Sequence, residues 1–212
     1  MPYRAILWDN DGVLVDTERW YLQSTREVLA TVGIDLTEAL YFEHFLASSG
    51  GIAPLATARG LSSDQIEELR RRRNALYQSH LKQQPLTIPG VRETLAALRP
   101  RFAMGIVTSS RRDHFHSIHR RTGLLEFFDF VLTSEDYAES KPAPDPYLAG
   151  IARTGCAPAE CLAIEDAPRG LAAARAAGID CWVIPTELSR PADFSGAARI
   201  LRKVQELPAL LC

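Results

Sequence analysis

A chain of 212 residues, 46% hydrophobic and 24% charged, has room for one sizeable core, or for one core plus a small insertion, and the balance of a globular fold rather than a disordered or fibrous one. Its formal net charge of −2 argues against a general nucleic-acid binder, which needs a net basic face for the phosphate backbone. The short apolar run after Met1-Pro2-Tyr3-Arg4 is too brief for a signal-peptide core, and no run reaches the ~18 apolar residues of a membrane span, so neither nucleic acid nor membrane is expected as a partner.

The first element is Ala5-Ile6-Leu7-Trp8, a strand buried on both faces by its pattern, and it runs into Asp9-Asn10-Asp11-Gly12. Strand side chains alternate, so Asp9 and Asp11 can face the same way out of the C-terminal edge of a sheet, where open α/β folds bind ligands. Two carboxylates placed there make a metal and phosphate address. Gly12 lets the backbone turn without a Cβ clash.

From about Thr17 to Pro89 no strand pattern is found; helices are predicted near 18–32, 37–47, 51–58 and 62–83, the last with Ser62 as N-cap and acidic residues in its first turn. A helical block of about 70 residues is too long for a crossover and reads as an inserted cap, with connections near 14–17 and 85–89 as hinges. The expected division is therefore residues 1–16 with 86–212 as the sheet core and 17–85 as the helical cap. The basic run Arg70 to Arg73, beside Glu67 and Glu68, reads as a solvated helix face.

Thr87-Ile88-Pro89-Gly90 marks the return to the sheet. Four more apolar runs, 103–107, 128–132, 161–164 and 181–184, alternate with helical patterns near 111–122, 144–154 and 168–177. This βαβ rhythm predicts an α/β fold with a mainly parallel sheet and right-handed crossovers. Chemistry follows each run. After the second stand Thr108-Ser109-Ser110, hydroxyls that suit a phosphoryl oxygen, a helix N-cap, or both. After the third comes Lys141, in the proline-stiffened stretch Lys141-Pro142-Ala143-Pro144-Asp145-Pro146, a fixed positive charge. After the fourth come Glu165 and Asp166, adjacent acids whose repulsion a bound Mg²⁺ would relieve. His114, His116 and His119 fall on several faces of one helix and are not read as metal ligands. Cys156, Cys161, Cys181 and Cys212 lack zinc-like spacing and read as reduced packing residues of a cytoplasmic protein.

Four stretches, Asp9 to Glu18, Val107-Thr108-Ser109-Ser110, Ser140 to Tyr147 and Ile164 to Gly170, together resemble the motifs of the haloacid dehalogenase (HAD) superfamily. The resemblance spans the whole chain and is to the phosphatase and phosphomutase branch that carries a helical cap after the first strand. It implies a doubly wound, Rossmann-like core with an inserted α-helical cap, and a Mg²⁺-dependent phosphoric monoester hydrolase. True dehalogenases of the superfamily lack the second Asp, which stands here as Asp11. By the family pattern Asp9 is the nucleophile, forming an aspartyl-phosphate, and Asp11 is the general acid and base. Mg²⁺ would be held by Asp9, the Asp11 backbone carbonyl and Asp166, with Glu165 a ligand or just outside them. Lys141 would balance the charge, and Thr108 with backbone N–H groups near Asn10, Asp11 and Ser109 would hold the phosphoryl oxygens.

The same resemblance makes Glu18, Tyr21 and the cap loop Ala47 to Gly51, including Ser49 and Gly50, the candidates for the leaving group of a small phosphorylated metabolite, a hexose or pentose phosphate being the first choice. The rival reading is β-phosphoglucomutase-like transfer, but that family has a His where this chain has Tyr21 and a cap-loop Arg that is missing from residues 45–53. Arg59 or the Arg70 to Arg73 run could substitute. A receiver-type phosphoacceptor is disfavoured because such modules are about half this length and carry no helical insertion. A monomer is expected.

Overall fold

The computed structural model describes residues 3–82 and 86–212. The expected cap boundary at residue 85, and with it the start of the second hinge, lies outside the described residues. Among the described residues, β1 (Ala5–Trp8), β2 (Ala103–Val107), β3 (Phe130–Leu132), β4 (Cys161–Glu165), β5 (Asp180–Val183) and β6 (Arg199–Ile200) form one sheet of order β3-β2-β1-β4-β5-β6, with every neighbouring pair parallel. The chain builds outward from β1 to β3, then crosses to lay β4 on the other side of β1. That reversal makes the C-terminal ends of β1 and β4 the switch point of a doubly wound α/β sheet.

Each strand's alternating side chains supply both faces. Ile6, Trp8, Met104, Ile106, Leu162, Ile164 and Trp182 enter one apolar cluster, whereas Leu7, Val107, Cys161, Ala163, Cys181 and Val183 enter the other. The first face is covered by α5 (Val91–Leu98), α6 (Arg112–His119) and α9 (Leu207–Leu211), the second by α7 (Asp145–Thr154) and α8 (Pro168–Ala176). Burial on both sides is why these runs lack polar alternation.

Three elements were not expected. The two residues of β6 are exposed and carry no apolar run, and α5 and α9 are short. The third strand also begins two residues later than its apolar pattern suggested. Leu125–Phe127 form a 3₁₀ turn; Asp129 N still donates to Met104 O at 2.8 Å, but the Asp129 carboxylate accepts from Met104 N at 2.9 Å and Arg99 Nη2 at 2.5 Å, so a side chain takes half of the ladder pairing there.

Between β1 and β2 lie α1 (Glu18–Ala30), α2 (Glu38–Tyr41), which runs on into a π-helical turn at Phe42–Leu46, α3 (Ala53–Ala58) and α4 (Ser63–Leu81). They gather around an apolar cluster of their own that includes Leu22, Leu29, Leu36, Tyr41, Phe45, Ile52 and Leu69. Ser62 caps α4 in a reciprocal box: its N–H donates to Gln65 Oε1 at 2.9 Å, and its Oγ accepts from Gln65 N at 3.4 Å.

Two chain segments join these helices to the sheet. Asp16 N donates to Leu86 O at 2.7 Å, Ile88 N donates to Leu14 O at 3.1 Å, and Val15 pairs antiparallel with Thr87. The two segments thus run side by side as a short ribbon. Among the described residues no helix is long and apolar enough to cross a membrane, and all four cysteines are free thiols.

Candidate active site

The parallel β1–β4 register brings three carboxylates to one point, where Lys141 joins them from the loop before α7. Asp9 N donates to Ile164 O at 2.9 Å, extending the β1–β4 ladder one residue beyond β1 and setting Asp9 beside Glu165 and Asp166. The three carboxylates are buried, and one oxygen from each lies within 4.8 Å of the others. Lys141, also buried, donates through Nζ to Asp9 Oδ1 at 2.7 Å, Glu165 Oε1 at 2.7 Å and Val107 O at 2.8 Å. Tyr147 donates to the same Glu165 oxygen at 2.5 Å, and Ser189 Oγ donates to the Asp166 carbonyl at 2.6 Å.

Glycine is required at two positions here. Gly12 has φ of +83°, and a Cβ on it would lie 2.2 Å from Asp166 Oδ2. A Cβ on Gly170, at the start of α8, would lie 2.0 Å from the Glu165 carboxylate. The backbone presses against both acids, which only glycine permits.

Burial pushes Asp9 up to about 7; Lys141 pulls it back down, and nearby Glu165 and Asp11 add to the rise. Burial, followed by repulsion from Asp9 and Glu165, holds Asp166 well above the usual carboxylate range. For Lys141 burial acts downward, but Asp9 and Glu165 outweigh it and keep the ammonium raised. Crowded, buried acids with raised pKa values are what an oxygen-liganded divalent cation relieves, so these donors fit Mg²⁺.

Asp11 turns away from that cluster. Its carboxylate accepts from Thr17 Oγ1 at 2.5 Å, Asn10 Nδ2 at 3.2 Å and Thr108 Oγ1 at 3.4 Å. Thr108 is fixed in turn, accepting from Ser110 N at 3.0 Å through Oγ1 and from the Tyr137 hydroxyl at 2.7 Å through its carbonyl. Among the described residues the backbone N–H groups of Asn10, Asp11 and Ser109 donate to no backbone carbonyl outside the regular elements, and the buried Ser109 Oγ has no hydrogen-bond partner. An oxyanion seated there would satisfy them.

The family model described as haloacid dehalogenase-like hydrolase matches residues 6–184. The chain belongs to that family. The CbbY protein of Rhodobacter capsulatus is 31% identical over 208 residues, spanning 93% of this chain and 92% of its own. The fructose-1-phosphate phosphatase YqaB of Escherichia coli is 29% identical over 184 residues, 84% of this chain and 94% of its own. Among solved structures, CbbY from Rhodobacter sphaeroides in complex with xylulose 1,5-bisphosphate superposes with a TM-score of 0.83 at 25% identity, covering 97% of this chain and 96% of that one.

In this haloacid dehalogenase-like hydrolase a cavity of about 190 Å³ opens above the acidic cluster, between the sheet edge and the helices of residues 18–81. Asp9, Asp11, Glu18, Tyr21, Ser49, Thr108, Ser109, Lys141, Glu165 and Asp166 all line it. Gly50, expected among the substrate contacts, and the Asn10 side chain do not, whereas the expectation for Asn10 rests on its backbone N–H. Asn10 is fully buried, with Oδ1 2.7 Å from His119 Nε2, and in the cap loop it is Gly51 that reaches the cavity.

Further groups line the cavity. Arg73, in a run expected on a solvated face with a substitute phosphate anchor as the alternative, is 8% exposed, lines the cavity, and lies 4.7 Å over the Tyr21 ring. Arg70 and Arg71 pair outward with Glu67 and Glu68, so the basic run divides by helical phase. Tyr41 donates to Glu18, whose pKa is raised by burial and drawn back by that bond. Arg169 also lines the cavity; burial acts on it downward, but Glu18, Asp9, Glu165 and Asp166 raise its pKa.

Proposed function

We propose that this protein is a Mg²⁺-dependent phosphatase of small phosphorylated sugars that works through an aspartyl-phosphate. One observation carries the reading: Lys141 bridges Asp9 and Glu165 while Asp9, Glu165 and Asp166 crowd one sheet edge. Phosphate monoesters hydrolyse extremely slowly unaided, so a catalyst must neutralise charge and align the reacting atoms. Asp9, held by Lys141, is the nucleophile: its oxygen forms a bond to phosphorus as the ester oxygen–phosphorus bond breaks. Asp11, in its protonated form, gives a proton to the leaving alkoxide. In the second step Asp11 takes a proton from water, whose oxygen bonds to phosphorus as the Asp9–phosphorus bond breaks.

Asp9 and Asp166, with the Asp11 backbone carbonyl, would hold Mg²⁺; both Glu165 oxygens already accept bonds, so Glu165 chiefly fixes Lys141. When bound, the ion shields negative charge on the phosphoryl oxygens. Thr108, Ser109 and the N–H groups of Asn10 and Asp11 receive those oxygens. Residues 17–85 act as the cap, with Glu18, Tyr21, Ser49 and Arg73 meeting the leaving group. A sugar is supported as leaving group by the polar cavity, by the similarity to a fructose-1-phosphate phosphatase and by the xylulose 1,5-bisphosphate bound to the similar CbbY structure. The free thiols support a cytoplasmic setting, and a monomer is the simplest state.

Return of the phosphoryl group to a sugar draws on one observation, that Arg73 supplies a cation within the cavity. One assay separates the two readings: free phosphate is measured from a panel of sugar phosphates with Mg²⁺ and with chelator, beside conversion of β-glucose 1-phosphate to glucose 6-phosphate. Mg²⁺-dependent release is the expected result; isomerisation without release would replace hydrolysis by mutase chemistry.

A further inference from the structure

Asn10 sits between the two catalytic aspartates yet is fully buried and points away from the cavity. Its amide is held at both ends. Asn10 Oδ1 lies 2.7 Å from His119 Nε2 on α6, and Asn10 Nδ2 donates to Asp11 Oδ2 at 3.2 Å. The other imidazole nitrogen, His119 Nδ1, lies 2.9 Å from Thr122 Oγ1. An amide oxygen can only accept, so His119 Nε2 carries the hydrogen and Nδ1 accepts from the Thr122 hydroxyl. That is the neutral tautomer, and no hydrogen-bonding site is mismatched along the chain of four side chains.

We infer that Asn10 and His119 are positioning residues: the buried chain Thr122–His119–Asn10 fixes which way the Asn10 amide faces, and thereby orients the Asp11 carboxylate for its proton transfers. The inference rests on the acid and base role proposed for Asp11. Two further observations support it. Burial draws His119 down to about 4, so the ring stays neutral under ordinary conditions. Phe115 packs 4.3 Å from the His119 ring, fixing its plane. The link also has a geometric reach beyond Asp11. The Asn10 carbonyl accepts from the N–H groups of Val13, Leu14 and Val15, so the loop carrying Asp9 to Gly12 is wrapped around the residue that His119 anchors. The helix bearing His119 begins just after Thr108-Ser109-Ser110, so one contact registers both walls of the phosphoryl site.

The test separates orientation from stability. Replacing both partners of a buried hydrogen bond by apolar residues of similar size can be nearly neutral for folding. Asn10→Leu, His119→Leu and their double variant are compared with His119→Gln, whose amide nitrogen reaches the place of Nε2. The expected result is a fall in kcat of roughly tenfold in each Leu variant, KM within about twofold, no larger loss in the double variant, and recovery of most of kcat in His119→Gln. A second readout needs no turnover. Nitrogen-15 spectra should show the Nε2–H tautomer of His119 in the unmodified protein. The carboxyl ¹³C signal of Asp11 should move in His119→Leu and return in His119→Gln. An unmoved Asp11 signal, an Nδ1–H tautomer, or a kcat loss in His119→Gln as large as in His119→Leu overturns the inference. If the unmodified protein releases no phosphate from any ester, the phosphatase reading fails, and the spectra still decide this one.

Discussion

Lys141→Met removes the one ammonium that bridges Asp9 and Glu165. The side chain is 2% exposed and gives bonds to two carboxylates and a carbonyl, so its loss takes the bridging cation from two buried acids, leaves Glu165 only its bonds from Tyr147 and Asp166 N, and removes a donor from the Val107 oxygen. Breaking a buried pair by deleting one partner costs about 3–5 kcal/mol. For a chain of this length each kcal/mol moves Tm by roughly 2–4 °C, giving a fall of about 6–20 °C. The penalty depends on pH. Lys141 lowers the Asp9 pKa from where burial would place it, so the variant's Asp9 lies above about 7, far above its unfolded value. A carboxylate raised on folding contributes its stability below the unfolded pKa of about 3.9 and loses it as pH rises through the folded value. Asp9 already lies at about 7 in the unmodified protein, so both proteins lose this stability alike up to that pH, and the variant's deficit must grow only as pH rises above about 7. Calorimetry in chelator at pH 5 and pH 8 measures it, and Lys141→Met with Glu165→Gln should recover part of the loss. A Tm within about 2 °C of the unmodified protein at pH 8, or a larger deficit at pH 5, would refute the reasoning.

Asp9→Asn should lower phosphate release by a factor of at least about 10³ while the protein stays folded, read by steady-state assay and circular dichroism. In chelator, unmodified protein should lose stability relative to Asp9→Asn as pH rises from about 4 through about 7, because the raised Asp9 carboxyl is the group being ionised; denaturant melts with a pH-independent difference would contradict this. Arg73→Met should raise KM for sugar phosphates about tenfold, whereas Arg71→Met, at an exposed site, should change neither KM nor Tm measurably. Gly170→Ala should lower Tm by several degrees, since its Cβ meets the Glu165 carboxylate at 2.0 Å; unchanged melting would mean that the α8 start can shift freely.

Much of the fold was legible because the buried strands are short apolar runs that stop where the chemistry starts. Ala5-Ile6-Leu7-Trp8 ends at Asp9, and Cys161 to Ile164 ends at Glu165, so strand, edge and acid could be read together. Arg73 was readable too, although not from charge. The buried positions of α4 are Ile66, Leu69, Arg73, Tyr77 and Leu81, a helical phase that places Arg73 inward while Arg71 and Arg72 point out. The π-helical turn at Phe42–Leu46 and the displacement of Gly50 in favour of Gly51 depend on how the chain closes locally, which residue types there do not specify. The bond from His119 to Asn10 joins residues 109 positions apart, and neither has a local pattern naming the other. Such a contact exists only after the sheet has assembled.

The two segments joining the helices of residues 18–81 to the sheet are not independent tethers. Two backbone hydrogen bonds and the Val15–Thr87 pairing tie them into a single strap, so a movement of the helices over the sheet would bend both segments about one axis. Two loose linkers would let the helices slide, twist and tilt over the sheet edge, each motion adding entropy to be lost when the cavity closes around a ligand. A paired strap leaves mainly tilt. Thr17, which bonds Asp11, directly follows the strap's first strand, so tilting carries the partner of Asp11 along the same arc. A tilt that opened the cavity would then also draw Thr17 from the Asp11 carboxylate, along one mechanical coordinate.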